Sequence, residues 1–462
     1  MGTTMHQLPR ASGAVGAILA FFLGTGLDTS PVNAQSVQTV AATPTTAGSV
    51  TWAENVAPIF YESCVECHQP EGIGPMSLLD YQTARRYAAR IKDMVASREM
   101  PPWHIDRSVG IQQFKNDVSL SDTEIQTVVQ WVDGGAPSGD LGRAPTPPEL
   151  PSGAQWRLES QFGRPPDFVF RSTPFSMGAE GLDNWWTPTI TIEGLDGPRW
   201  IMANETKPSY PQGRKAVHHA NTNLTAAGEE RGSGFTNFGI GKPYDVYPEN
   251  TGQRIAPGDQ VSFNIHYYPY GEPVENDVVE VGLWFYPEGE TPRFATEGDV
   301  QWDSQRSTTI DGETFTTQQL VIPPHGRLVT QGVQVLDQHT RLHSCRGHMH
   351  FRGAAQQLEA VYPDGHTEVL CRVNWNSHWH ITYLFEDDVM PLLPKGTVLL
   401  LTAWYDNTAN NPVNPDPDQW VIFGRRTGDE MSHMWIGATY LSDEDFEFLK
   451  AKRAQQIAEQ QQ

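Results

Sequence analysis

Two periodicities divide this chain. Up to about residue 140, apolar positions recur at helical spacing, and Trp52, Val56, Ile59 and Phe60 share one face. Further helices are expected over about 81–97 and 122–132; Ser121 followed by Glu124 offers the second of these a capping box. From about 167 to 445 the pattern changes to short alternating runs bounded by turn residues. Val261, Phe263 and Ile265 fall on one face of such a run, and His266 on the other. Tyr362-Pro363-Asp364-Gly365-His366 reads as a hairpin turn between strands at 358–361 and 369–373. A β region of this length exceeds one sandwich, so two are expected, 167–312 and 313–445. Between the two regimes, 141–166 carries Pro145, Pro147, Pro148, Pro151, Pro165 and Pro166 and reads as a semi-rigid linker. The Gln-rich end, 446–462, reads as a fraying helical tail.

Composition supports a loop-rich, mainly β protein of several domains. The chain has 462 residues, with 41 Gly, 35 Pro and 19% charged residues. A net charge of −23, spread along the chain, repels polyanions and argues against a nucleic-acid partner. Near the N-terminus, Arg10 precedes a small and apolar run at 11–27, and Val32-Asn33-Ala34 resembles a cleavage site before Gln35. A signal peptide over 1–34 is therefore expected, followed by a flexible lead-in over 35–50. The mature protein would be periplasmic or secreted. The apolar run is too short for a stable membrane span.

The chemistry-bearing residues come in groups. Cys64-Val65-Glu66-Cys67-His68 is the C-x-x-C-H haem c attachment pattern: two thiols form thioethers to the haem edge and the adjacent His reaches the iron. Met76, Met94, Met100 and His104 are candidates for the sixth iron ligand. The other two cysteines, Cys345 and Cys371, are free to pair as a disulfide in an oxidising compartment. His348 and His350 lie two apart, so on a strand both offer imidazoles to one face. His218 and His219 are adjacent and would diverge on a regular strand. If both bind one ion, the backbone must be irregular there or the rings must use different nitrogens. Imidazole suits copper, zinc and iron, whereas a thioether such as Met431 selects copper. His378 and His380 form a second i, i+2 pair with no third partner, and are read as structural or substrate-facing. His104, His325, His343, His366 and His433 are read the same way.

Two resemblances follow. The order of helix, haem motif, helix, Met100-Pro101 and helix resembles the small class I cytochromes c. It implies an all-α haem domain over 51–140, with Met100 as sixth ligand. Val217-His218-His219-Ala220, Asn264-Ile265-His266-Tyr267, Gly347-His348-Met349-His350 and Asp429-Glu430-Met431 resemble, in order and approximate spacing, the copper type II ascorbate-dependent monooxygenases. That family includes the peptidylglycine α-hydroxylating and dopamine β-monooxygenases. The resemblance implies two jelly-roll sandwich domains and two copper ions across a solvent-filled cleft. His218, His219 and His266 would hold the electron-transfer copper, and His348, His350 and Met431 the copper where oxygen reacts. Arg346 matches a carboxylate-gripping Arg of the peptide-amidating relatives. His433 and Trp435 depart from the Asn and Tyr those relatives carry, so peptidylglycine is not implied as substrate.

The expected protein is thus a small all-α cytochrome c-like domain followed by two all-β jelly-roll sandwiches. It would hydroxylate a C–H bond of a small molecule or peptide with O2, using an ascorbate-like reductant or a redox protein as external donor. The alternative is a non-catalytic haem–copper electron-transfer or copper-binding protein, which would need the ligands but no substrate cleft.

Overall fold

A computed structural model of the protein describes residues 49–462, other than 71, 151–152, 210, 240–241, 243, 305–306, 311–312, 317–319 and 461–462. The expected signal peptide and nearly all of the lead-in lie outside the described residues.

Side chains cap three of the early helical segments. Thr51 accepts from the Glu54 backbone at a π-helical turn, Trp52–Val56, which runs into Ala57–Ser63. Asp80 caps Tyr81–Arg86, and Ala88–Ala96 follows. At Asp122–Asp133 the Ser121/Glu124 capping box forms as expected. These short helices bury Trp52, Phe60, Val128 and Trp131 in a small core, where Trp52 meets Phe60 edge-on at 5.3 Å.

The architecture nevertheless corrects the expected fold class. Strand accounts for 37% and helix for 18%, and 51–140 is not a separate all-α cytochrome domain. The stretch after Met100 leaves the helices and packs on the second β half. Trp103, Ile105 and Phe114 belong to the same buried core as Cys345, Leu370 and Tyr383. Ile105 and Phe114 form isolated β-bridges with Val373 and Phe385. The Asp106, Ile111 and Lys115 amides donate to Arg372, Leu370 and Leu384 carbonyls. The physical reason is apolar area: three large side chains in a loop find in the sheet the cover that short helices lack. Residues 49–462 accordingly form one compact unit.

The β region is built in layers. One sheet runs through both halves, in the order Phe168–Arg171, Val279–Phe285, Arg199–Pro208, Thr251–Ile255, Phe294–Asp303, Ser432–Leu441, His339–Met349 and Tyr383–Leu384. Phe294–Asp303 joins the halves. It pairs parallel with Thr251–Ile255 and antiparallel with Ser432–Leu441, although sequence assigned it to the first half alone. A second sheet covers each half. Asn184–Trp186, Gln260–Tyr267, Val217–Thr225 and Ser233–Gly239 cover the first. Arg327–Val335, Val398–Asp406, Gly353–Val361 and Thr367–Asn374 cover the second. Alternation places Val261, Phe263 and Ile265 in the first core, leaving His266 on the other face, as the sequence pattern requires. The C-terminal helix Asp443–Gln460 docks by Phe446 against Phe294 and Leu441. No helix among the described residues is long and apolar enough to cross a membrane.

Candidate metal centre

The first histidine set is assembled by a β-bulge. His266 pairs with His219, yet the next residue, Tyr267, pairs with Val217, so His218 is the extra residue. A bulge turns two successive side chains toward one side, which a regular strand forbids. The irregular backbone demanded by the adjacent histidines is therefore present. Donor atoms of His218, His219 and His266 all lie within 4.8 Å of one another.

Each ring is held. His266 Nε2 lies 3.0 Å from Asp183 Oδ2, and Trp185 stacks on its ring with centroids 4.3 Å apart. With Nε2 bonded to the carboxylate, Nδ1 keeps the lone pair a metal needs. His219 Nδ1 is buried with no hydrogen-bond partner. Burial, reinforced by the neighbouring His266, holds His218 down to about 4, and burial likewise holds His219 well below the usual imidazole range. Neutral imidazole is the ligating form. A cluster of neutral rings with an orphaned buried nitrogen is a donor set that fits copper, zinc or iron.

The second set lies on His339–Met349 and the loop beyond it. His350 Nδ1 lies 3.1 Å from the Asp429 carbonyl; a carbonyl only accepts, so Nδ1 carries the proton. Buried Glu430 organises the turn. Its Oε1 accepts from the His350 and Met431 amides at 2.6 and 2.9 Å, and its Oε2 from the Arg352 amide at 2.9 Å. One carboxylate oxygen thus ties the backbones of the two predicted ligands together. Burial pushes Glu430 up to about 7 despite those three bonds. His348 stands opposite His433 on the neighbouring strand, with rings stacked at 5.9 Å, and His433 in turn bonds Asp303.

The two sets are not separated by a wide cleft. His380 fills the space between them. Its ring centroid lies 5.1 Å from both His218 and His219 and 4.9 Å from His348. Sequence reading set His380 aside because it lacked a third partner; the signal was its i, i+2 spacing from His378. His378 itself is exposed. Asp183 and Trp185 carried no signal, because their roles arise only from pairing across strands; Glu430 lies in the Asp429-Glu430-Met431 fragment, but its tie to His350 does not show in sequence.

Arg346 is buried beside this centre. Nη1 donates to Asn221 Oδ1 at 2.9 Å, Nη2 lies 3.6 Å from Asp299, and the guanidinium sits 4.4 Å above the Trp435 ring. Its Nε has no partner. Arg346, Trp435, Asn221 and Asp299 line a cavity of about 340 Å³ where the two halves meet.

Cys64, Cys67 and His68 follow Ala57–Ser63. His68 Nδ1 lies 3.1 Å from the Met76 carbonyl and so donates to it, leaving Nε2 free for a metal. Burial pushes the thiols up to about 12 at Cys64 and about 11 at Cys67, the reverse of a reactive redox dithiol. A Cβ on Gly74 would meet the His68 ring, so the chain passes it closely. A free imidazole nitrogen beside two un-ionised thiols fits covalent haem attachment. Met76 therefore serves His68 through its carbonyl. Met100 is half-buried after Ala88–Ala96, with its amide bonded to the Met94 carbonyl. Cys345 and Cys371 are both buried free thiols, with the Cys371 side chain hydrogen-bonded to Cys345.

No protein-family model and no curated protein sequence matches the chain. Among solved structures, the PBSX exported protein XepA is similar at 9% identity and a TM-score of 0.15, over 52% of this chain and 86% of that one. A T13 particle of infectious bursal disease virus is similar at 8% identity and a TM-score of 0.16, over 60% of this chain and 71% of that one. Likeness at that level carries no argument about fold or function.

Proposed function

We propose that the protein is an exported copper-dependent monooxygenase that hydroxylates a C–H bond of an organic substrate. The observation that carries the reading is the bulged His218/His219/His266 cluster, with donors within 4.8 Å, set across His380 from His348. Met431 adds the soft donor that favours copper over zinc. The balanced reaction takes R–H, O2, two electrons and two protons to R–OH and water. Copper bound there supplies one-electron redox chemistry and a site for oxygen.

The remaining tasks fall to this chain's own residues. Asp183 and the Asp429 carbonyl orient His266 and His350. Arg346 and Trp435 give the adjacent cavity a polar and aromatic wall in which Asp299 already faces the guanidinium; an organic substrate bound there would meet this pair and the Trp435 ring. A purely electron-carrying protein would have no use for such a cavity, and this favours the enzyme.

Covalent haem at Cys64, Cys67 and His68 is proposed as the internal electron source. Cys67 lines a cleft that also touches Phe238 and Gly239, and Gly239 is the cross-strand partner of His219. An external reductant, ascorbate-like or a redox protein, would reload the haem.

The test is turnover of copper- and haem-loaded protein under isotopically labelled O2 with a panel of substrates, with and without carboxylates. Label in one hydroxylated product supports the reading. No oxygen uptake across the panel, with reversible redox at every metal, favours the carrier.

A further inference from the structure

We propose that His380 is itself a metal ligand, pairing with His348 at the second site. The inference rests on the copper reading above and deepens it.

The argument is geometric. His348 Nδ1 and His380 Nδ1 lie 3.3 Å apart. Two imidazole nitrogens bound to one ion at about 2.0–2.1 Å in a tetrahedral arrangement stand about 3.3–3.4 Å apart. The observed separation matches the bite of a metal-binding pair. Without an ion one ring donates Nδ1–H to the other; on metal binding that ring shifts its proton to Nε2, which leaves both Nδ1 lone pairs for the ion. His380 is also placed by more than this contact. It is 8% exposed, and Trp375 packs on it edge-on at 5.4 Å. The His380 carbonyl lies against Gly239, where a Cβ would crowd it, so the residue is seated against the His219 cross-strand partner. The same ring contacts His218 and His219 at 5.1 Å.

The experiment is Cu(II) titration of the metal-free full chain, followed by electron paramagnetic resonance, on the wild type, His380→Ala and His380→Asn. In the wild type two coppers bind, and the second shows nitrogen hyperfine splitting that includes His380. Both variants retain the first copper, lose affinity for the second by at least about tenfold, and show one nitrogen fewer in its hyperfine pattern. Retention of the first copper also reports that the variants are folded at the centre. Second-copper affinity and hyperfine pattern unchanged in both variants would overturn the role of His380 and leave the two-copper reading standing. A wild type that binds no copper would sink both.

Discussion

Asp183 offers the sharpest single-residue test of the first site. Its carboxylate lies 3.0 Å from His266 Nε2 and does not itself belong to the three-histidine cluster. Replacing it with Asn keeps the size and one acceptor but removes the charge that orients and enriches the ring. Outer partners of metal-bound histidines are worth roughly 10–100-fold in metal affinity. At about 1.4 kcal/mol per factor of ten, that is about 1.4–2.7 kcal/mol. The contact is only partly shielded, with the Asp183 side chain 27% exposed, so the lower end is expected for Asn and the upper end for Ala. Copper titration against a competing chelator measures it directly. Asp183→Asn should weaken the first copper by about tenfold and leave the second unchanged. Wild-type affinity in both variants would refute the assignment of Asp183 as the residue that orients His266.

Three further outcomes follow from the structure. Trp103 is 9% exposed and meets Tyr383 edge-on at 4.8 Å, so Trp103→Ala should cost about 3–5 kcal/mol, read as a fall in the urea midpoint of the β signal. A change confined to the helical segment would contradict the packing of that loop on the second half. Burial pushes Glu205 up to about 7 from 4.5, partly offset by bonds from the Leu158 and Arg157 amides. The folded state then holds this proton more tightly than the unfolded one. Its contribution, on the order of 3 kcal/mol, is complete below about pH 4.5 and lost as pH rises through about 7. Glu205→Gln should flatten that slope in denaturation midpoints taken between about pH 5 and about pH 8; an unchanged slope would place the titration elsewhere. Cys345 and Cys371 are buried neighbours, so protein matured under oxidising conditions should show one disulfide between them by peptide mass mapping. Two alkylatable thiols in the unfolded, unreduced protein would count against it.

What the sequence disclosed depended on how local the signal was. The Ser121/Glu124 cap, the alternation at Val261–Ile265 and the need for a backbone irregularity at His218 and His219 are all encoded within a few residues, and each has its counterpart in the structure. The fold class failed at 101–118. Helical spacing before it and a helix after it made the whole segment read as one domain, and nothing local shows that Trp103, Ile105 and Phe114 bury against Cys345 and Tyr383. His380 was misjudged for the same reason. Its partners lie some 160 and 30 residues away in sequence, on strands whose register no local pattern specifies. Asp183 reaches His266 only because Asn184–Trp186 pairs with that strand.

The proposed enzyme requires a haem and two coppers in one chain. The most direct measurement is metal and haem content of the purified full chain after expression with export, copper supply and haem c maturation. One covalent haem and two coppers per chain are expected, with the first copper lost on His266→Ala and the covalent haem lost when Cys64→Ala and Cys67→Ala are combined. Zinc in place of copper, or a chain that holds no covalent haem under those conditions, would contradict it.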